Sequence, residues 1–139
     1  AKATFAIDDS RTHLTGHSMG GHGSWNVGVH YPTRFGVIAP SAGWISFDTY
    51  GGGVIGDGIE SKARAASKTR NYIENFAQRS IYIIHGLADN NVPAAQAQIM
   101  FDLLEPFVSE LEYHAEPGAG HWWDADPDEP GADCVDWEP

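Results

Sequence analysis

Gly16-His17-Ser18-Met19-Gly20 follows the pattern G-x-S-x-G. A serine at that spacing suits a sharp strand-to-helix turn that exposes its hydroxyl in a strained conformation, with the outer glycines letting neighbouring backbone pass. With 16 Gly in 139 residues the pattern alone is weak. Its setting strengthens it, because a strand candidate precedes it and a helix candidate follows. A serine hydroxyl is a poor nucleophile unless a base takes its proton and a carboxylate orients that base. Seven histidines compete for the first role. His121 closes Gly118-Ala119-Gly120-His121, a flexible loop from which a side chain can reach across strand ends, and it is the expected base. His114 lies within the preceding strand and His85 ends the one before that, so both read as structural. The acid should fall between serine and histidine in this chain order. Asp89 meets that condition in His85-Gly86-Leu87-Ala88-Asp89-Asn90-Asn91-Val92-Pro93, although alone it reads as a turn or helix-cap residue. Ser18, Asp89 and His121 each follow a strand candidate. All three therefore converge at the carboxyl edge of one sheet, where ligands bind in open α/β folds. A Ser-His-Asp triad is the expectation.

The elements that must hold these groups alternate. Strand candidates are Thr12 to Gly16 (THLTG), Phe35 to Pro40 (FGVIAP), Ile81 to Ile84 (IYII) and Leu111 to Ala115 (LEYHA). Between them lie a helix over Gly20 to Tyr31 that stops at Pro32, a basic helix over Ile59 to Gln78, and a helix that opens at Pro93. Tyr72, Ile73, Phe76 and Ala77 form the apolar face expected of the second. Ile99, Leu103 and Phe107 recur every four residues in the third, with Met100 and Leu104 beside them. Short buried strands alternating with helices mean an α/β fold with a mostly parallel sheet of about four strands and right-handed crossovers.

Composition narrows the function. Nineteen Asp and Glu against eight Lys and Arg give a net charge of −11, which argues against nucleic acid or an anionic membrane as partner. The acidity is lopsided: residues 80–139 hold 13 acidic side chains and no Lys or Arg, and a solvated acidic face accounts for that. Residues 1–139 are read as one domain, with 124–139 an acidic, Pro-rich tail of no regular structure. Cys134 is alone, so neither an intrachain disulfide nor a cysteine-based zinc site is available. No 18-residue apolar run occurs. There is no initiator Met and no signal peptide, and the last residues, DCVDWEP, form no closing helix; a piece of a longer chain is expected.

Taken together, GHSMGGHGSW, HGLADNNVP and GAGHWW resemble the catalytic half of an α/β-hydrolase, and within it the prolyl-oligopeptidase-like serine hydrolases and related esterases. The resemblance covers essentially the whole chain. It implies Ser18 as nucleophile, His121 as general base and then acid, Asp89 as orienting carboxylate, and the Met19 N–H as one oxyanion donor, with no cofactor or metal. It also implies more than is here. Several strands precede the serine turn in the family, whereas only about ten residues precede Thr12, and the loop that normally gives the second oxyanion donor is missing. The serine strand is then an edge, expected to be covered by a second copy or by a separate N-terminal portion. A weakened oxyanion hole should favour activated esters over amides.

Other patterns fail on context. Gly51-Gly52-Gly53-Val54-Ile55-Gly56 matches G-x-G-x-x-G, but no strong strand precedes it. Asp124, Asp126 and Asp128 start like a calcium loop, yet Glu129 and Val135 occupy the positions that need Gly and Glu. His13 and His17, four apart, fall on a strand and turn without a Glu. Trp44, Trp122 and Trp123 suit either a substrate pocket or simple packing. The sequence thus points to a serine hydrolase of carboxylic esters or peptide bonds. The alternative is a catalytically silent fragment that only self-associates or binds a partner.

Overall fold

A computed structural model describes residues 4–8, 11–51 and 58–123. Strand β1 (Leu14–His17) turns into helix α1 (Met19–His30), and a short 3-10 turn at Pro32–Arg34 leads to β2 (Val37–Ser41). Helix α2 (Ile59–Arg64), 3-10 segments at Ala65–Ser67 and Thr69–Phe76, and β3 (Ser80–Gly86) follow. Helix α3 (Ala95–Leu104) and β4 (Glu110–Glu116) complete the order. The four strands pair in parallel as β1-β2-β3-β4. The fold class is the one the alternation predicts. Because every strand runs the same way, all four carboxyl ends lie along one edge.

Residues on successive strands share faces through the register. Leu14 pairs with Ile38, Ile38 with Ile81 and Ile81 with Leu111. That row packs with Trp25 and Val29 of α1, Phe76, and Met100 and Leu104 of α3 in one apolar core. Trp25 meets Phe76 edge-on at 5.9 Å, joining α1 to the Thr69–Phe76 segment. Burying such side chains contributes about 1.5–3 kcal/mol each. This layer fixes the far ends of the strands that carry the site.

Two expectations need correction. The basic helix over 59–78 does not form as one element. Lys68 is extended (φ −88°, ψ 90°), and the Thr69 N–H donates across the chain to the Ile45 carbonyl at 3.3 Å. Ser67 Oγ also donates to the Arg64 carbonyl at 2.8 Å, a local bond that competes with helix propagation. Tertiary anchoring outweighs a weak propensity here. Phe76 is buried and Tyr72 and Ile73 pack against the core, but Ala77 is exposed. In α3 the buried stripe is Ala97, Met100 and Leu104, continued by Val108, so it runs beside the predicted one; Ile99 is half-buried and Phe107 lies beyond the helix, exposed. The rejected calcium-like run, the acidic tail, Cys134 and Gly52, Gly53 and Gly56 lie outside the described residues.

Candidate active site

β1 ends at His17 and α1 begins at Met19, which leaves Ser18 alone to make the turn. Its backbone sits at φ 59°, ψ −115°, a conformation L residues rarely adopt. Ala42, just beyond β2, is the other non-glycine residue with positive φ among those described (44°). Such strain persists only where its surroundings over-determine it. Around Ser18 they do. The Ser18 N–H donates to the Ser41 carbonyl at 3.0 Å, and the Ser18 carbonyl accepts from the His22 N–H at 3.0 Å. Gly16 has no room for a side chain, since a Cβ there would stand 2.5 Å from the Gly20 oxygen. The fifth motif position, Gly20, has open space around it. The next glycine does not: a Cβ on Gly21 would collide with the Ser41 oxygen and the Gly43 backbone. The unpredicted constraint is thus Gly21, where α1 presses against the chain leaving β2.

Asp89 follows β3 by three residues. Its Oδ1 accepts the backbone N–H groups of Asn91 and Val92, each at 2.8 Å, an Asx-type turn that aims the other oxygen at the sheet edge. His121 follows β4 through Pro117-Gly118, where Gly118 takes φ 77°. The two loops are bonded to each other. Leu87 N–H donates to the Glu116 carbonyl (2.9 Å) and Ala88 N–H to the Ala119 carbonyl (2.8 Å).

These placements bring the three expected side chains together. His121 Nε2 lies 2.8 Å from Ser18 Oγ, and His121 Nδ1 lies 2.8 Å from Asp89 Oδ2. A carboxylate can only accept, so Nδ1 carries the proton and Nε2 is left as acceptor for the serine O–H. The Asp89 side chain is fully buried and that of His121 is 4% exposed. The Met19 side chain is exposed, but its N–H belongs to the first turn of α1, where backbone donors lack intrahelical partners.

The other histidines divide by environment. His114 is exposed and bonds Glu116 at 2.8 Å. His85 is buried behind Asp89. His17, considered only for metal, instead stands beside the site: its ring is 4.9 Å from that of His121 and 4.5 Å from that of Trp122, and Nδ1 meets Ser41 Oγ at 2.9 Å. Its place one residue before the serine was the available signal. Trp122 is 59% exposed and edge-on to His121 at 5.1 Å, so it borders the site, whereas Trp123 stacks on His114. Trp44 is buried, stacked between His22 and Tyr50.

Burial lowers the pKa of His17, His22 and His85 from the ordinary 6.5; for His22 the Trp44 carbonyl opposes this, and for His17 the neighbouring His121 adds to it. The sign for stability follows directly. The unfolded chain takes up these protons more readily than the folded one, so the contribution is whole above pH 6.5 and is lost as pH falls from there toward the lower folded values. Thermal melts should therefore show a falling midpoint on acidification below that point. A His22→Phe protein should lose less over the same range, and equal losses would exclude His22 as a contributor.

Residues 1–130 match the prolyl oligopeptidase family (peptidase S9). An uncharacterized secreted protein of Arthroderma benhamiae is 33% identical over 117 residues, covering 79% of this chain and 13% of that protein. Among solved structures, a thermostable esterase superposes with a TM-score of 0.62 at 21% identity, over 85% of this chain and 26% of its own. An acylaminoacyl peptidase of Pyrococcus horikoshii gives 0.67 at 21% identity, over 83% and 20%. The chain thus spans about a quarter or less of the length of these three proteins.

Proposed function

The chain belongs to the prolyl oligopeptidase family, and from that premise we propose that Ser18, His121 and Asp89 form the catalytic triad of a serine hydrolase that cleaves carboxylic esters or peptide bonds through an acyl-enzyme. The observation that carries the reading is the unbroken series Ser18 Oγ, His121 Nε2, His121 Nδ1, Asp89 Oδ2, with both hydrogen bonds at 2.8 Å.

Each member has one task. As Ser18 Oγ bonds to the substrate carbonyl carbon, its proton passes to His121 Nε2. Asp89 holds the ring in the Nδ1–H form and stabilises the imidazolium so formed. The carbonyl oxygen becomes an oxyanion beside the Met19 N–H. Collapse of the tetrahedral intermediate breaks the bond to the alcohol or amine, which leaves with the proton from Nε2. Water, deprotonated by the same nitrogen, then releases the acid and restores Ser18. An esterase and a peptidase both carry this fold, and the two reactions share the acyl-enzyme.

A fluorophosphonate tests the reading, since its phosphorus bonds rapidly only to an activated serine oxygen and loses fluoride. One adduct on the peptide containing Ser18, absent from a Ser18→Ala control, is expected by mass spectrometry. A folded protein that takes no label, or takes it on another serine, contradicts the assignment.

A further inference from the structure

The mechanism above leaves one buried titratable ring beside the triad without a task. The His85 side chain is completely buried at the end of β3. Its Nε2 lies 2.8 Å from the Val92 carbonyl oxygen and 3.2 Å from Asp89 Oδ2. Both are acceptors, so Nε2 carries the proton. Among the described residues Nδ1 is buried with no partner, and a second proton there would be an unpaired buried charge. Burial accordingly lowers the His85 pKa, outweighing the Val92 carbonyl and Asp89, which act the other way. The ring is a fixed neutral donor.

Its two acceptors close a circuit. The Val92 carbonyl accepts from His85, the Val92 N–H donates to Asp89 Oδ1, and Asp89 Oδ2 accepts His121 Nδ1–H with His85 Nε2 3.2 Å away. Without His85, two backbone donors would hold Oδ1 and only the His121 ring would hold Oδ2. We propose that His85 is a positioning residue: its Nε2–H, shared between the Val92 carbonyl and Asp89 Oδ2, locks the Asp89 carboxylate in the plane that meets His121 and shares the charge of the oxygen His121 uses. This rests on the triad reading above.

The consequence is a change in the charge His121 faces. Among the described residues, the titratable groups around its ring are Asp89 and His85 from the β3 end and His17 from the β1 end. In His85→Phe the ring volume stays and the donor goes, so Oδ2 presents fuller negative charge to the imidazolium. The acid limb of the pH profile of kcat/KM then moves to higher pH. Misplacement of the carboxylate lowers kcat by about 10–100-fold with KM held. His85→Gln, whose amide N–H reaches the Nε2 position, restores both.

The measurements belong in the full chain, with Ser18→Ala beside them. NMR of the unmodified protein should find His85 as the neutral Nε2–H tautomer throughout about pH 7–8. An Nδ1–H tautomer or a protonated His85 in that range overturns the proposal even if His85→Phe does not fold. So does a folded His85→Phe protein whose acid limb stays in place, or a Gln variant as impaired as Phe. Activity surviving Ser18→Ala would instead defeat the triad itself; loss in Ser18→Ala with an unmoved limb in His85→Phe defeats this inference alone.

Discussion

Asp89→Asn is expected to lower kcat by about 10⁴ while leaving the fold intact. The size follows from which oxygen the loop has already claimed. Oδ1 accepts from the Asn91 and Val92 N–H groups, so the single oxygen of an asparagine must take that position. Its NH₂ then occupies the Oδ2 position and faces His121 Nδ1 as a donor. The ring can answer only by moving its proton to Nε2, the atom that must accept from Ser18. On the proposed triad, Ser18 loses its base although no atom has moved far. Steady-state turnover of an aryl ester, with circular dichroism to confirm folding, checks this. A loss of less than tenfold would mean that Asp89 does not select the tautomer.

Gly21→Ala should be the most damaging small change in α1, in both stability and activity. An alanine would by itself raise helix propensity by about 0.8–1 kcal/mol. Here its Cβ would collide with the Ser41 oxygen and stand 2.8 Å from Gly43 Cα. Overpacking backbone against backbone costs about 1–3 kcal/mol or more, so the net effect is destabilising. The Ser41 carbonyl is also what accepts the Ser18 N–H, and displacing it rotates Ser18, the proposed nucleophile. A misplacement near 1 Å can cost about 10² in rate. Gly23 lies in the same helix with nothing within 4 Å of its added Cβ. Gly23→Ala is therefore the control, expected to gain up to about 1 kcal/mol. Denaturant melts of the two proteins should move in opposite directions, and a stabilised Gly21→Ala would show that the contact yields.

Much of this site was legible in the sequence because its parts are local. The turn at Ser18 is encoded within five residues, and Asp89 and His121 are marked by the strands IYII and LEYHA that end just before them. Parallel strands then do the assembly without further instruction. What escaped the sequence depends on partners far along the chain. Gly21 is constrained by Ser41 and Gly43, His17 by Ser41 and His121, and Thr69 by Ile45. None of these leaves a periodic trace. His85 shows the same limit differently: it reads as a strand-end residue, and only its distance to Asp89 Oδ2 ties it to the carboxylate.

The hydrogen bond between His121 Nε2 and Ser18 Oγ joins residues 103 positions apart. Synthesis delivers the serine before the histidine. Between the two, the emerging segment holds Ser18 without the ring proposed as its base. A chain shortened before His121, by stalled synthesis or by a protease, has the serine turn yet cannot deprotonate it through this ring. On the proposed triad, reaction at Ser18 therefore doubles as a certificate that the polypeptide is continuous from Ser18 to His121, and a labelling reagent can count such molecules in a mixture where an antibody to the segment around β1 would count fragments as well.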